Sequence, residues 1–190
     1  MKIKNHMETS LELRMYGLVI YNASPIQQAI QFGHAVVDYG LQHFNTTQYQ
    51  EWAHKYKTFI ILSGGTTNEN SQRLGTLQMH KQAFDEAGIV NVGFKEPDLN
   101  DAMTAFTFIV DERVFNRRKY PDFNDYVKLA KDIRYRGFGW VETDLPNFDL
   151  YKLIEADLSP NGVGHKAWVK FVGGEKNAFL RDYLKQFKLA

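Results

Sequence analysis

One flank of a predicted helix carries four polar residues with the capacity for chemistry. At about 100° of rotation per residue, Gln27, Gln31, His34 and Asp38 fall on the same side of the segment 25–44. Histidine accepts or releases a proton near neutral pH, so His34 is the strongest candidate for acid–base catalysis. Gln27 and Gln31 offer amide groups to a carbonyl or a ribose, although Gln27 also stands where it would cap the helix. For His34 the alternative is a boundary histidine bonded to a backbone carbonyl, and spacing alone leaves both interpretations open.

An acidic loop supplies the carboxylates that such chemistry needs. Glu96, Asp98 and Asp101 lie between two predicted strands. If this loop folds over the start of the helix, one carboxylate would activate water or orient His34. Asp98 is our choice because it follows the rigid Pro97. Hydrolysis of an ester requires such a base together with donors for the oxyanion, whereas a solvated turn is the alternative interpretation of the loop.

The helix that carries these residues has clear start signals. Ser24 is a predicted N-cap, Pro25 takes the first helical position, and Gln27 completes the spacing of a capping box. Apolar residues at helical spacing predict a buried face. Its members are Ile26, Ala29, Ile30, Gly33, Val37, Leu41 and Phe44. We expect this face to fasten the helix to a sheet, with the glycine permitting close approach.

Apolar runs on both sides of this helix predict an α/β protein. We expect strands at about 13–21, 57–63, 89–94 and 103–110, and helices at about 25–44, 49–56 and 71–87. Only the acidic loop joins the last two strands, which favours antiparallel neighbours. The order β-α-(α)-β-α-β-β therefore predicts a mixed four-stranded sheet flanked by helices.

The end of the chain has a different character. Residues 13–110 are the predicted core, and residues 111–190 are expected to form an α+β extension packed on it. Within the extension we expect helices at about 122–136 and 175–188, and a strand at 167–172.

Composition excludes several classes of function. The net charge is +1, so RNA contact would need a local patch such as the basic and aromatic segment 134–140, which is equally typical of a solvated helix end. The absence of cysteine removes disulfides and thiol catalysis. The six histidines lack metal-site spacing, so we expect no metal and no cofactor. No apolar run is long enough to cross a membrane and no signal peptide is recognised at the start, so we expect a cytoplasmic protein.

The heptapeptide Ala29-Ile30-Gln31-Phe32-Gly33-His34-Ala35 carries a family resemblance. Together with the order of the surrounding strands over residues 16–110, it resembles the peptidyl-tRNA hydrolase 2 family, whose helix has the pattern A-A-Q-x-x-H-A. That family has a mixed α/β fold, is often dimeric, and hydrolyses the ester that joins a peptide to tRNA. The resemblance implies tRNA or peptidyl-tRNA as a partner and a possible homodimer. Together with this resemblance, our candidate residues are His34 and Asp98 for catalysis and Gln27, Gln31, Glu96 and Thr104 for substrate binding.

Two hypotheses about function follow. The first is a hydrolase that cleaves the ester between peptide and tRNA with activated water. The second is a non-catalytic member of the same fold that binds RNA or a protein. It is motivated by Gln27, which stands where the family has the last lysine of a basic turn, since phosphate affinity comes chiefly from Lys and Arg. The extension at 111–190 is its second motivation.

Overall fold

The computed structural model of the chain describes residues 10–67, 74–128, 159 and 162–190. The strands are β1 (Leu13–Ile20), β2 (Thr58–Gly65), β3 (Val92–Glu96) and β4 (Ala102–Asp111). The helices are α1 (Pro25–His43), α2 (Thr47–Glu51), α3 (Thr76–Glu86), α4 (Glu112–Phe115), α5 (Val163–Phe171) and α6 (Glu175–Tyr183). A π-helical turn occupies Trp52–Tyr56, 3-10 turns occupy Pro97–Leu99 and Leu184–Gln186, and residues 123–128 are also helical. Among the described helices, none combines the length and apolarity that a membrane crossing requires.

The four strands form one mixed sheet in the order β2-β1-β4-β3. β1 is parallel to β2, whereas β4 is antiparallel to both of its neighbours, β1 and β3. The central strands β1 and β4 are buried along nearly their whole length, because helices cover the sheet on both sides. The predicted fold class, an α/β protein with a mixed four-stranded sheet flanked by helices, is confirmed.

Helix α1 packs on the sheet through a different face from the predicted one. Its buried residues are Gln28, Phe32, Ala35, Tyr39 and Gly40. The residues of the predicted face point to solvent, with exposed fractions of 74% for Ile26, 50% for Ile30, 61% for Val37, 72% for Leu41 and 62% for Phe44. The predicted orientation was therefore wrong, because two faces of this helix have helical apolar spacing and the sheet binds the aromatic one.

A glycine in the sheet makes room for the buried face of α1. Gly17 lies in the middle of β1, and a Cβ atom built there would stand 2.2 Å from Cδ2 of Phe32. The Phe32 ring thus occupies the space that a side chain at position 17 would fill. The predicted role of Gly33 in close approach was wrong, since a Cβ atom at Gly33 would meet nothing within 4 Å. The glycine that lets helix and sheet approach is on the strand.

The opposite face of the sheet is covered by α3 and α6. Phe84 of α3 packs edge-on against Phe106 of β4, with ring centroids 5.3 Å apart, and against Phe179 of α6 at 5.8 Å. Beyond α6 the chain returns to the sheet, where Leu189 forms an antiparallel bridge with Leu62 of the edge strand β2. Covering part of an edge strand in this way satisfies backbone groups that would otherwise invite pairing with another chain.

The strand predicted at 167–172 was wrong, because this segment belongs to α5. Trp168, Val169 and Val172 are all buried and lie at helical spacing against Tyr126. In a window this short, alternation and helical spacing fit the same apolar residues. Of the helix predicted at 122–136, residues 123–128 are helical and the remainder lies outside the described residues, as does the basic segment 134–140.

A buried arginine ties α6 to the chain that follows β4. Arg181 is fully buried, and its guanidinium donates to the carbonyl oxygens of Tyr120, at 2.6 Å, and of Arg113, and to Oδ1 of Asp122 at 2.7 Å. Asp122 also pairs with Arg117 and, at 3.4 Å, with Lys185. Burial raises the pKa of Asp122, but the hydrogen bond from Arg181 and the neighbouring cations outweigh it, so its pKa lies below the ordinary carboxyl value.

Candidate functional site

Polar residues from three separate elements meet at one end of the sheet. The site contains the first half of α1, the last residue of β3 and the beginning of β4. Because β4 runs antiparallel to β1, Thr104 near its start lies beside the carboxyl end of β1, with the adjacent Ala105 paired to Val19. In α/β proteins the carboxyl ends of strands are where ligands are usually bound.

A hydrogen-bonded chain through Gln31 joins these elements. Thr104 Oγ1 donates to the Gln31 side-chain carbonyl at 2.5 Å, and the Gln31 amide donates to Oε2 of Glu96 at 2.6 Å. Thr104 is fully buried, so this bond satisfies a hydroxyl that has no access to water. The two bonds fix the orientation of the Gln31 amide. Its second amide proton and the other carboxylate oxygen of Glu96 form no hydrogen bond with the described residues.

His34 lies one helical turn beyond Gln31 and is exposed. Its ring stacks on Phe94 of β3, with centroids 4.7 Å apart and an angle of 24° between the planes. No hydrogen bond joins His34 to any residue that the structure describes, so both ring nitrogens are free to meet a ligand or water. The stacking on Phe94 holds the ring beside β3, two residues before Glu96.

Gln27 lies at the helix start and serves the N-cap. Its side-chain oxygen accepts from the backbone N–H of Ser24 at 3.0 Å, and the Ser24 hydroxyl accepts from the Gln27 N–H at 3.3 Å. The predicted capping box is confirmed. With its carbonyl engaged in the cap, Gln27 has only its amide group left for a ligand.

Asp98 lies on the 3-10 turn that follows Glu96 and is exposed. Neither a hydrogen bond nor an ion pair connects it to His34 or to another described residue. The turn closes when Asp101 N–H donates to the Glu96 carbonyl at 3.1 Å, with Asn100 and Asp101 at positive φ angles of 54° and 57°. The loop thus presents Glu96 toward Gln31 and leaves Asp98 in solvent. The catalytic role of Asp98 stays a prediction.

Two residues that position the site were not singled out in the sequence. Gln28 is buried, and its amide donates to the carbonyl oxygens of Ile20, at 3.0 Å, and Tyr21, at 3.3 Å. It therefore anchors the start of α1 to the end of β1. Phe94, the stacking partner of His34, is the second. The available signal for Gln28 was its spacing of four residues from Phe32, which places both on one helix face.

Within the described residues, no group of three or more His, Asp or Glu side chains is arranged to hold a metal ion. No protein-family model matches the chain, and no curated protein matches it significantly. The chemistry that the site can offer a ligand therefore follows from its own geometry. It presents an exposed imidazole, a carboxylate oxygen and an oriented amide donor along one edge of α1.

Proposed function

We propose that this chain hydrolyses the ester between a peptide and tRNA, as its resemblance to the peptidyl-tRNA hydrolase 2 family implies. The observation that carries the proposal is the chain Thr104–Gln31–Glu96. Gln31 is separated from Glu96 by 65 positions and from Thr104 by 73 positions in the sequence, and all three are residues that we expect to bind substrate. They meet beside His34, the residue with the clearest capacity for proton transfer.

The strand and helix order also supports the proposal. The elements β1, α1, β2, α3, β3 and β4 follow one another along the chain in the order that the resemblance implies. Helix α1 carries the glutamine and the histidine, β2 begins after Lys57, and β3 and β4 are an antiparallel pair. The family-like core would comprise residues 13–110, and residues 111–190 would be an extension that packs on it through α6.

The proposed mechanism uses general base catalysis. His34 accepts a proton from a water molecule that attacks the ester carbonyl, and it returns that proton to the departing ribose oxygen. The free Gln31 amide proton stabilises the developing oxyanion, and the free oxygen of Glu96 accepts a hydrogen bond from a ribose hydroxyl. Preorganisation by Thr104 keeps the Gln31 amide from rotating during this process.

Two observations favour the second hypothesis, a non-catalytic protein of this fold that binds RNA or a protein. His34 is oriented by stacking on Phe94 and not by a hydrogen bond, so no described residue fixes its tautomer. Gln27 is held in the helix cap at the position where the family has a lysine. Both features are compatible with binding and weaken proton transfer and the grip on phosphate.

The test is release of the peptide from a defined peptidyl-tRNA, with binding of the same tRNA measured across salt concentrations. We expect turnover by the wild type and a fall of about 10²-fold or more in His34→Ala. The matched control is His54→Ala, since His54 is also exposed but lies on the π-helical turn after α2.

The two hypotheses predict different results in these assays. A folded wild type that binds tRNA without turnover would favour the non-catalytic protein. Equal turnover by wild type and His34→Ala would refute the role of His34. If the folded chain neither binds the tRNA nor releases the peptide, the hydrolase hypothesis and the RNA-binding hypothesis are both contradicted.

A further inference from the structure

A cavity of about 530 Å³ opens between α5 and α6. We call it the α5–α6 groove. Four of its eight lining residues are aromatic, namely His165 and Trp168 of α5 and Phe179 and Tyr183 of α6. Its volume is that of a small-molecule site, and none of its lining residues belongs to α1, β3 or β4, which form the candidate site. The groove is therefore a separate place at which a ligand could bind.

The α5–α6 groove runs along α6. One side of it is formed by residues 175, 178, 179, 182, 183 and 186, which lie at helical spacing on one face of α6 and of the 3-10 turn after it. At about 1.5 Å per residue, these positions cover roughly 16 Å. An elongated ligand suits a groove of this length.

The charged side chains that line the groove are both acidic. They are Glu175 and Asp182, although the chain as a whole has a net charge of +1. Glu175 is exposed at the start of α6 and forms neither an ion pair nor a hydrogen bond with a residue that the structure describes. Its carboxylate is thus available to a cation from solution.

Asp182 already has a partner, but a replaceable one. It accepts a hydrogen bond from Lys185 at 2.7 Å, and both side chains of this pair are largely exposed, so the pair contributes little stability. Lys185 also lies 3.4 Å from Asp122. If another cation binds Asp182, Lys185 therefore keeps a carboxylate partner.

The aromatic rings supply a surface for the rest of such a cation. The rings of Phe179 and Tyr183 are stacked, with centroids 4.9 Å apart and an angle of 26° between their planes. The Tyr183 hydroxyl is hydrogen-bonded to Nδ1 of His80 at 2.9 Å, which fixes the position of its ring. Aromatic faces attract ammonium groups, and apolar methylenes pack on them.

We propose that the α5–α6 groove binds a linear aliphatic diamine or polyamine, with one ammonium group at Glu175, a second at Asp182 and the methylene chain along Phe179. The seven residues from 175 to 182 advance about 10 Å along the helix, which is too far for one metal ion to join the two carboxylates. A chain of eight methylenes holds two ammonium groups at a similar separation. The proposal does not depend on the proposed hydrolase activity.

The first experiment titrates the full chain with 1,8-diaminooctane and follows its NMR spectrum at constant ionic strength. The reporter is the indole N–H of Trp168, which donates to the Pro121 carbonyl at 3.0 Å beside the groove. The comparison ligands are 1,4-diaminobutane, which is too short, octylamine, which has one charge, and 1,8-octanediol, which has none. We expect 1,8-diaminooctane to bind at least about fivefold more tightly than each of them, the effect of one exposed ion pair.

The second experiment removes the carboxylates one at a time. Glu175→Gln should weaken binding of 1,8-diaminooctane about fivefold, because the free carboxylate is lost. The matched control is Glu51→Gln, since Glu51 lies in α2, next to Trp52 in the core on the other face of the sheet. Asp182→Asn should abolish the preference for 1,8-diaminooctane over octylamine.

Several outcomes overturn the proposal. Absence of saturable binding up to about 20 mM does so, and so do equal spectral changes with magnesium chloride, which would indicate general screening of charge. Equal affinity for 1,8-octanediol would show that the carboxylates are not used. Equal affinity for octylamine would remove the role of Asp182, and equal weakening in Glu175→Gln and Glu51→Gln would remove that of Glu175.

Discussion

Replacing Gly17 with alanine tests what attaches α1 to the sheet. The new methyl group would stand 2.2 Å and 2.4 Å from two carbons of the Phe32 ring. Ordinary van der Waals contact begins at 3.4 Å, so the ring must move by about 1.2 Å. Phe32 is only 4% exposed and packs edge-on against Phe59 at 5.4 Å, so it has little room to do so. We expect Gly17→Ala to lower the free energy of unfolding by about 3 kcal/mol, the upper end of the cost of overpacking.

A matched substitution gives the opposite sign. Gly33→Ala adds the same methyl group to α1 where nothing lies within 4 Å, so it gains helix propensity without a clash. We expect stabilisation by about 0.5–1 kcal/mol. Urea unfolding at neutral pH measures this change, and a loss of stability in Gly33→Ala would contradict it.

A double-mutant cycle isolates the contact between Gly17 and Phe32. Phe32→Leu alone should cost about 1–2 kcal/mol because it removes a buried ring. In Gly17→Ala/Phe32→Leu the smaller side chain leaves space for the methyl group, so the combined loss should be smaller than the sum by about 1–2 kcal/mol. The measurement is urea unfolding at neutral pH. Strict additivity, or a Gly17→Ala variant within about 0.5 kcal/mol of the wild type, would refute the idea that this contact fixes the orientation of α1.

Two further predictions concern titratable groups. Asp122→Asn removes the carboxylate from the fully buried Arg181 and should cost about 3 kcal/mol in urea unfolding at pH 7. Because the pKa of Asp122 is below its ordinary value of 3.8, its charge-dependent stabilisation is complete above that pH and is lost as the pH falls below it. The difference between wild type and Asp122→Asn should therefore shrink on acidification, and a constant difference would contradict this. Burial lowers the pKa of His80 from 6.5, so at acidic pH the unfolded chain binds a proton at this residue more readily than the folded chain does. The wild type should therefore lose more thermal stability than His80→Gln as the pH falls through 6.5. An equal fall in melting temperature for the two proteins would exclude this effect.

The strands and the start of α1 could be predicted because their signals are local. β2 and β4 are apolar runs of strand length, and the capping box needs only Ser24, Gln27 and the backbone between them. The facing of α1 could not be predicted in the same way. Phe32, Ala35 and Tyr39 have helical spacing, as do Ile26, Ile30 and Val37, and periodicity finds both sets without saying what covers either. The space that Phe32 occupies above Gly17 exists only in the folded protein, where the two residues become adjacent.

The grouping of the candidate site required more than composition and periodicity. Gln31, Glu96 and Thr104 come from three elements, and it was a family resemblance that proposed them together. Local reasoning chose Asp98 over Glu96 because it follows a proline. In the structure that proline starts a 3-10 turn that carries Asp98 into solvent, while Glu96, the last residue of β3, stays beside α1. Position on a strand end, not rigidity of the loop, decides which carboxylate faces the helix.

The two apolar faces of α1 should be separable by experiment, because only one of them packs on the sheet. Phe32 fills the space above Gly17 and belongs to the core, whereas Val37 lies outside that core and is 61% exposed. Phe32→Leu should therefore lower the free energy of unfolding by about 1–2 kcal/mol, whereas Val37→Glu should change it by no more than about 0.5 kcal/mol. If instead Val37→Glu destabilised the chain as much as Phe32→Leu does, Val37 would have to pack against another part of the folded chain, and the observed facing of α1 would have to be abandoned.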